Sequence, residues 1–258
     1  MEITSPKNPR IKQLFKLRDD KRARQQEKLM LVEGWDEINL ALEAGYKPQS
    51  LLVAPDLTNR KIDSISAAPL ITTTQAIFEK ISYRENPDGW LGIFPLPEMS
   101  LTDLDLGQDP LLIIAESIEK PGNLGAILRT ADAAGVDALL VCDPRVDIYN
   151  PNVVRASRGT LFTVQTIEIS NQDALSFLRE SKIKLVAATP QAGTEFTNQD
   201  LRGPLAIIVG TESEGLTDFW LSEADIKVKI PMLGKVNSLN VSIAAALIVY
   251  EARRQRSK

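Results

Sequence analysis

The chain has 258 residues, 43% hydrophobic and 25% charged, with one cysteine and no histidine. These counts exclude Ser-His-Asp and Cys-His catalytic arrangements and any internal disulfide, and they argue against a zinc site. No apolar run reaches the roughly 18 residues of a membrane span, and the opening Met1-Glu2-Ile3-Thr4-Ser5-Pro6 lacks the order of a signal peptide, so a cytoplasmic protein is expected.

In chain order, Ile11, Leu14, Phe15 and Leu17 recur at helical spacing after Pro9. Residues 1–30 also hold nine Lys or Arg against four acids, within a chain of net charge −4. Such a stretch can neutralise phosphates, although from charge alone a solvated helix face is the simpler account. Residues 29–32 and 51–53 read as strands, 35–44 as a helix stopping at Gly45, 74–81 as a helix and 90–94 as a strand. These make one small α/β domain over 1–95. Residues 96–110 carry prolines and acids and are expected to link it to a second domain, 111–258.

The rhythm then becomes regular. Apolar runs at 111–115, 138–142, 185–188, 205–209 and 226–230 look like strands buried on both faces. Helical patterns at 124–134, 172–180 and 216–222 lie between most of them, and a last helix covers 239–254. Alternation of this kind predicts a mostly parallel, helix-covered sheet, with ligands beyond the carboxyl ends of its strands.

Three segments follow predicted strands and carry the chemistry. In the first, Pro121-Gly122-Asn123 forms a turn, Asn123 is the natural N-cap of the next helix, and Arg129 follows six residues later. In the second, the run 205–209 enters a glycine-rich loop, Gly210-Thr211-Glu212-Ser213-Glu214-Gly215. It is neither a phosphate loop nor a dinucleotide fingerprint. In the third, Ser238, Asn240 and Ser242 alternate at the start of an apolar helix, where capping accounts for at least one of them.

In this order and spacing the three segments resemble the motifs of the SpoU/TrmH RNA 2′-O-ribose methyltransferases, within the SPOUT group. The residues carrying the resemblance are Asn123, Gly125 and Arg129, then Gly210 to Gly215, then Ile230-Pro231-Met232 with Ser238-Leu239-Asn240-Val241-Ser242. Tyr149-Asn150-Pro151 and Arg155-Ala156-Ser157-Arg158-Gly159 match as well, so the resemblance covers 111–254. The amino-terminal part, with Ser5, Asn8 and Glu33-Gly34, is similar to the family's substrate-binding domain, through weaker motifs.

The resemblance implies an α/β fold whose mostly parallel sheet ends in a trefoil knot, a small amino-terminal α/β domain that binds RNA, and a homodimer. It implies S-adenosylmethionine as cofactor, held mainly by main-chain groups at Gly210, Ile230 and Leu239, with Thr189 in a neighbouring wall. Catalytic roles fall on Arg129, Asn123, Glu212, Ser238 and Asn240. A guanidinium ordinarily keeps its proton, so two roles for Arg129 stay open: taking the proton of the ribose hydroxyl, or orienting an RNA phosphate while another group takes it. Lys7, Arg10, Lys12, Arg18, Arg155 and Arg158 are the expected phosphate contacts, and no metal is expected. Ribosomal RNA is the favoured substrate, with transfer RNA as the alternative. A non-catalytic RNA-binding dimer, a base methyltransferase and a generic nucleotide-binding enzyme are the rival readings.

Overall fold

The computed structural model describes residues 2–60, 68–211 and 213–257. Its contacts divide into two units, Met1–Glu98 with Asp147–Thr163, and Met99–Val146 with Val164–Lys258.

In the first unit a short strand, β1 (Glu2–Ile3), precedes helix α1 (Pro9–Asp19). Asn8 caps α1 by accepting from the Arg10 N–H, and Pro9 supplies a preset first turn. Ile11, Leu14 and Leu17 form its buried stripe, leaving the cations outside. Next come α2 (Lys21–Glu27), β2 (Leu29–Glu33), α3 (Trp35–Glu43), β3 (Ser50–Val53), β4 (Leu70–Thr73), α4 (Gln75–Ile81) and β5 (Trp90–Pro95). The sheet order is β1-β4-β3-β5-β2, parallel on the β1 side and antiparallel through β5. As expected, α3 ends at Gly45, which takes a left-handed φ of 88°.

The second unit holds β6 (Leu111–Glu116), α5 (Pro121–Ala134) and β7 (Ala138–Cys142). The chain then leaves it through 147–163, which contains α6 (Pro151–Ser157), and returns with β8 (Gln165–Ile169) and α7 (Asn171–Glu180). The remaining elements are β9 (Lys184–Ala188), β10 (Thr194–Glu195), β11 (Leu205–Val209), α8 (Asp218–Glu223), β12 (Ile226–Lys229) and α9 (Val241–Arg256). Every pairing in the order β10-β12-β9-β11-β6-β7-β8 is parallel. Strands run outward from β6 to β8 on one side, while β11 lies between β6 and β9 on the other. That reversal is where open parallel sheets place ligands.

Two expectations change. Residues 147–163, assigned by sequence to the second domain, pack with the first unit. Their anchor is a buried ion pair in which Arg24 Nε donates to Asp147 Oδ2 at 2.8 Å, while Arg24 also caps the Leu17 carbonyl at 2.6 Å. Buried charges persist only when paired and hydrogen-bonded in this way. In the expected linker, Met99, Leu101, Leu104 and Leu106 pack on the second unit's core. Leucines spaced among acids bury one edge of an irregular segment, a pattern that proline and charge content do not reveal.

α9 packs on α5 and β11, and its end is tied down by side chains. Arg253 caps the Ala134 and Gly135 carbonyls that close α5, and Arg256 donates to the Asp109 carbonyl at 2.7 Å. No helix among the described residues is long and apolar enough to cross a membrane.

Candidate active site

The loops beyond β9, β11 and β12 and the first turns of α9 enclose a cavity of about 590 Å³. Four residues singled out by sequence line it together: Thr189, Gly210, Ile230 and Leu239. Thr189 is buried and its N–H is satisfied by the Val228 carbonyl at 2.9 Å. Ser238 lines the same cavity.

The loop after β11 is folded tightly on itself. Thr211 and Gly215 exchange main-chain hydrogen bonds of 2.9 and 3.0 Å, and the Glu214 N–H donates to Thr211 Oγ1 at 3.0 Å. This closure requires glycine at 210, where a Cβ would stand 2.1 Å from the Gly215 carbonyl oxygen. Glu212 lies outside the described residues.

A second, smaller cavity of about 90 Å³ is lined by Glu119, Lys120 and Asn123 of the first motif. Thr211, Ser213 and Val241 line both cavities, so the two adjoin. Asn123 is not an N-cap. The helix begins at Pro121 with Lys120 as its cap residue, which puts Asn123 in the first turn. Its Oδ1 instead accepts from Asn240 Nδ2 at 3.1 Å, joining the first motif to the third. Asn240 does cap its helix, accepting from the Ser242 N–H at 3.0 Å and the Ser242 hydroxyl at 2.6 Å.

Arg129 lines neither cavity. It is exposed on α5, about 120° around the helix and about 9 Å along it from Asn123. Its guanidinium makes no hydrogen bond or ion pair with the other described residues. Cys142 is buried, and burial with the nearby carboxylates of Asp143 and Glu116 pushes its thiol far above the ordinary range, so it supplies no nucleophile. Among the described residues no group of three or more metal-ligating side chains converges.

The six expected phosphate contacts all fall in the first unit. Lys7, Arg10, Lys12, Arg155 and Arg158 are exposed. Arg18 is committed locally: it pairs with Asp19 at 2.8 Å, donates to the Lys80 carbonyl at 2.8 Å, and its guanidinium lies over Phe15 and Tyr83. The pairing with Asp19 raises its already high pKa and lowers that of Asp19.

Met232 of the third motif also lines the large cavity, as do Gln191, Asp218 and Asn237, which no motif singles out. The only sequence signal of these three is adjacency to the motifs. The cavity fits S-adenosylmethionine on its own terms. Its volume lies within the ~300–1,000 Å³ of small-molecule sites. Apolar walls from Val209, Leu216, Val228 and Val241 suit an adenine ring, and Glu214 and Asp218 offer negative charge to a cationic ligand.

Comparison with known proteins agrees with the geometry. The model of the SpoU rRNA Methylase family matches residues 110–250, and that of the MRM3-like substrate binding domain matches residues 8–92. A solved RNA 2′-O ribose methyltransferase is 41% identical with a TM-score of 0.89, covering 100% of both chains. The SpoU methyltransferase AviRb from Streptomyces viridochromogenes, in complex with AdoMet, is 28% identical with a TM-score of 0.90, covering 97% of this chain and 99% of its own. The 23S rRNA (guanosine(2553)-2′-O)-methyltransferase RlmP of Bacillus subtilis is 29% identical over 98% of this chain and 99% of its own. With the three motifs gathered around adjoining cavities and the family model spanning more than half its length, this chain belongs to the SpoU rRNA methylase family.

Proposed function

We propose that this protein transfers a methyl group to a ribose 2′-hydroxyl of ribosomal RNA, with S-adenosylmethionine as donor. The observation that carries the reading is the adjoining pair of cavities: one gathers Thr189, Gly210, Ile230 and Leu239, the other Asn123. S-adenosylmethionine supplies a methyl group on a sulfonium, ready for in-line transfer to oxygen. The residues around the larger cavity hold and orient the donor and exclude water from it. Asn123 at the smaller cavity, with Asn240 bonded to it, and Ser238 at the larger one position the acceptor ribose against the donor, and Glu212 keeps the role that the family resemblance implies. Arg129 takes the hydroxyl proton or holds an RNA phosphate. Names of relatives such as RlmP favour ribosomal over transfer RNA. The deciding experiment is methyl transfer from labelled S-adenosylmethionine to total RNA of a strain lacking this protein. Digestion and mass spectrometry should then reveal a 2′-O-methyl nucleoside from ribosomal RNA. Cofactor binding without transfer to any RNA would favour a non-catalytic binding protein.

The first unit is assigned to RNA docking and the second to transfer. Lys7, Arg10, Lys12, Arg155 and Arg158 are its phosphate contacts, while Arg18 is committed to Asp19 and the Lys80 carbonyl. Replacing both Arg10 and Lys12 by Ala should weaken RNA binding and reduce the slope of log affinity against log salt by about 2. An unchanged slope would return both to the solvated surface.

Insertion of β11 between β6 and β9, with α9 following, supports a carboxyl-terminal trefoil knot. A folded domain fused after α9 should therefore slow refolding markedly, because it must pass through a loop; an unchanged rate would count against threading. Ile243, Leu247 and Tyr250 form an exposed apolar stripe on α9, 51%, 41% and 51% accessible, which supports a homodimer built on that helix. Sedimentation should give a dimer for the native chain and a monomer for Leu247→Glu. A monomeric native chain would overturn this assembly.

A further inference from the structure

Glu116, the last residue of β6, is wholly buried, and no lysine or arginine among the described residues pairs with it. Three donors satisfy it instead. Its Oε2 accepts from the Thr217 N–H at 2.9 Å, and its Oε1 accepts from Thr217 Oγ1 at 2.6 Å and from Asn171 Nδ2 at 3.1 Å. The set is oriented from behind, because Asn171 Oδ1 accepts from Nε1 of the buried Trp220 at 2.7 Å. Thr217 stands at the N-cap of α8 yet makes no side-chain cap there. Its hydroxyl is given to Glu116.

Thr217 also ends the loop that begins at Gly210, and most of that loop lines the large cavity. The loop is closed internally by the Thr211–Gly215 pair, and it is carried on two stems. One stem is β11. The other is held by the Glu116 carboxylate. We infer that Glu116 is a positioning residue, whose three accepted hydrogen bonds set where the Gly210–Gly215 loop stands against the bound cofactor. The inference rests on assigning that cavity to S-adenosylmethionine.

Only a carboxylate suits the place. A glutamine would turn an N–H group toward one of three donors. Rotating the Asn171 amide to accept would then deprive Trp220 of its acceptor. The strain passes along the loop instead of reaching the acceptor ribose.

The test uses the full chain, with S-adenosylmethionine as titrant in calorimetry and steady-state transfer to RNA. Glu116→Gln, which leaves a buried donor unsatisfied, and Thr217→Val, which takes one donated hydrogen bond from the buried carboxylate, should each raise the cofactor Kd and KM about tenfold. Turnover at saturating cofactor and the KM for RNA should stay within about twofold, and Thr217→Ser, which keeps the hydroxyl, should restore cofactor affinity. A merely structural role would lower the unfolding midpoint and the active fraction without moving KM. Native cofactor affinity in both variants, or lost turnover at unchanged KM, overturns the inference; if Glu116→Gln does not fold, Thr217→Val decides. Ala244→Phe, which fills the cavity from α9, separates the two readings. If it binds cofactor normally, the cavity assignment fails. If it loses binding while the Glu116 and Thr217 variants keep it, only the positioning inference fails.

Discussion

Replacing Arg129 by Ala is expected to reduce methyl transfer by at least about 10³-fold, within the range carried by a positioned proton-transfer or charge-stabilising group, while leaving the cofactor Kd within about twofold. The separation follows from its place. Arg129 is exposed on α5 and lines neither cavity, so its removal opens no void and touches no wall of the donor site. Exposed substitutions of this kind usually change stability by less than about 0.5 kcal/mol, so the variant should fold normally. Calorimetry and a transfer assay on the same preparation measure both quantities. Equal loss of binding and transfer would refute the catalytic assignment. Arg129→Lys then divides the two roles left open by chemistry. A lysine keeps the charge without the planar fork. Partial activity that falls with rising salt would identify a phosphate contact, whereas full loss at every salt concentration would identify a need for the guanidinium itself.

Gly210→Ala should abolish useful cofactor binding while leaving the rest of the second unit folded. A Cβ at this position would lie 2.1 Å from the Gly215 oxygen, 2.4 Å from its carbonyl carbon and 2.6 Å from the Leu216 nitrogen. All three are main-chain atoms, so no side-chain rotation relieves the contact, and the loop itself must open. Overpacking costs typically reach about 3 kcal/mol, which corresponds to a loss of affinity of about 100-fold if the strain is taken up in the bound loop. Isothermal calorimetry measures the affinity, and circular dichroism with thermal unfolding checks that the sheet persists. A cofactor Kd within a few-fold of native would show that the loop's closure is irrelevant to binding.

Some of this architecture is legible residue by residue. The runs that became β6, β7 and β11 are covered on both faces, so they read as unbroken apolar segments. By contrast, β8 and β10 lie at the two edges of the sheet. The first mixes Gln165, Thr166 and Glu168 with its apolar residues and the second is only Thr194–Glu195, so neither stands out. The sequence pattern puts the start of α5 after Asn123, which looks like a cap, whereas the helix begins at Pro121. Pro121 holds the first helical position, and that choice prevailed since a proline there loses no hydrogen bond. Asn123 was thereby released for Asn240, 117 residues away.

Local chemistry in the chain was enough to establish which reactions were possible. No histidine and one cysteine leave carboxylates, amides, hydroxyls and cations as the only reagents, and motif spacing directed attention to Asn123, Gly210 and Asn240. Those features reside in composition and in neighbours along the chain, where short-range patterns are informative. The partners of these residues were settled elsewhere. Placing β11 between β6 and β9 brings the Gly210 loop beside the end of β6, and so joins Glu116 to Thr217 across 101 residues. Placing 147–163 against the first unit depends on Arg24 meeting Asp147 across 123 residues. Contacts of that separation leave no periodicity in the sequence; they exist because packing each core brings particular strand ends and buried charges together, and folding alone selects which ones meet.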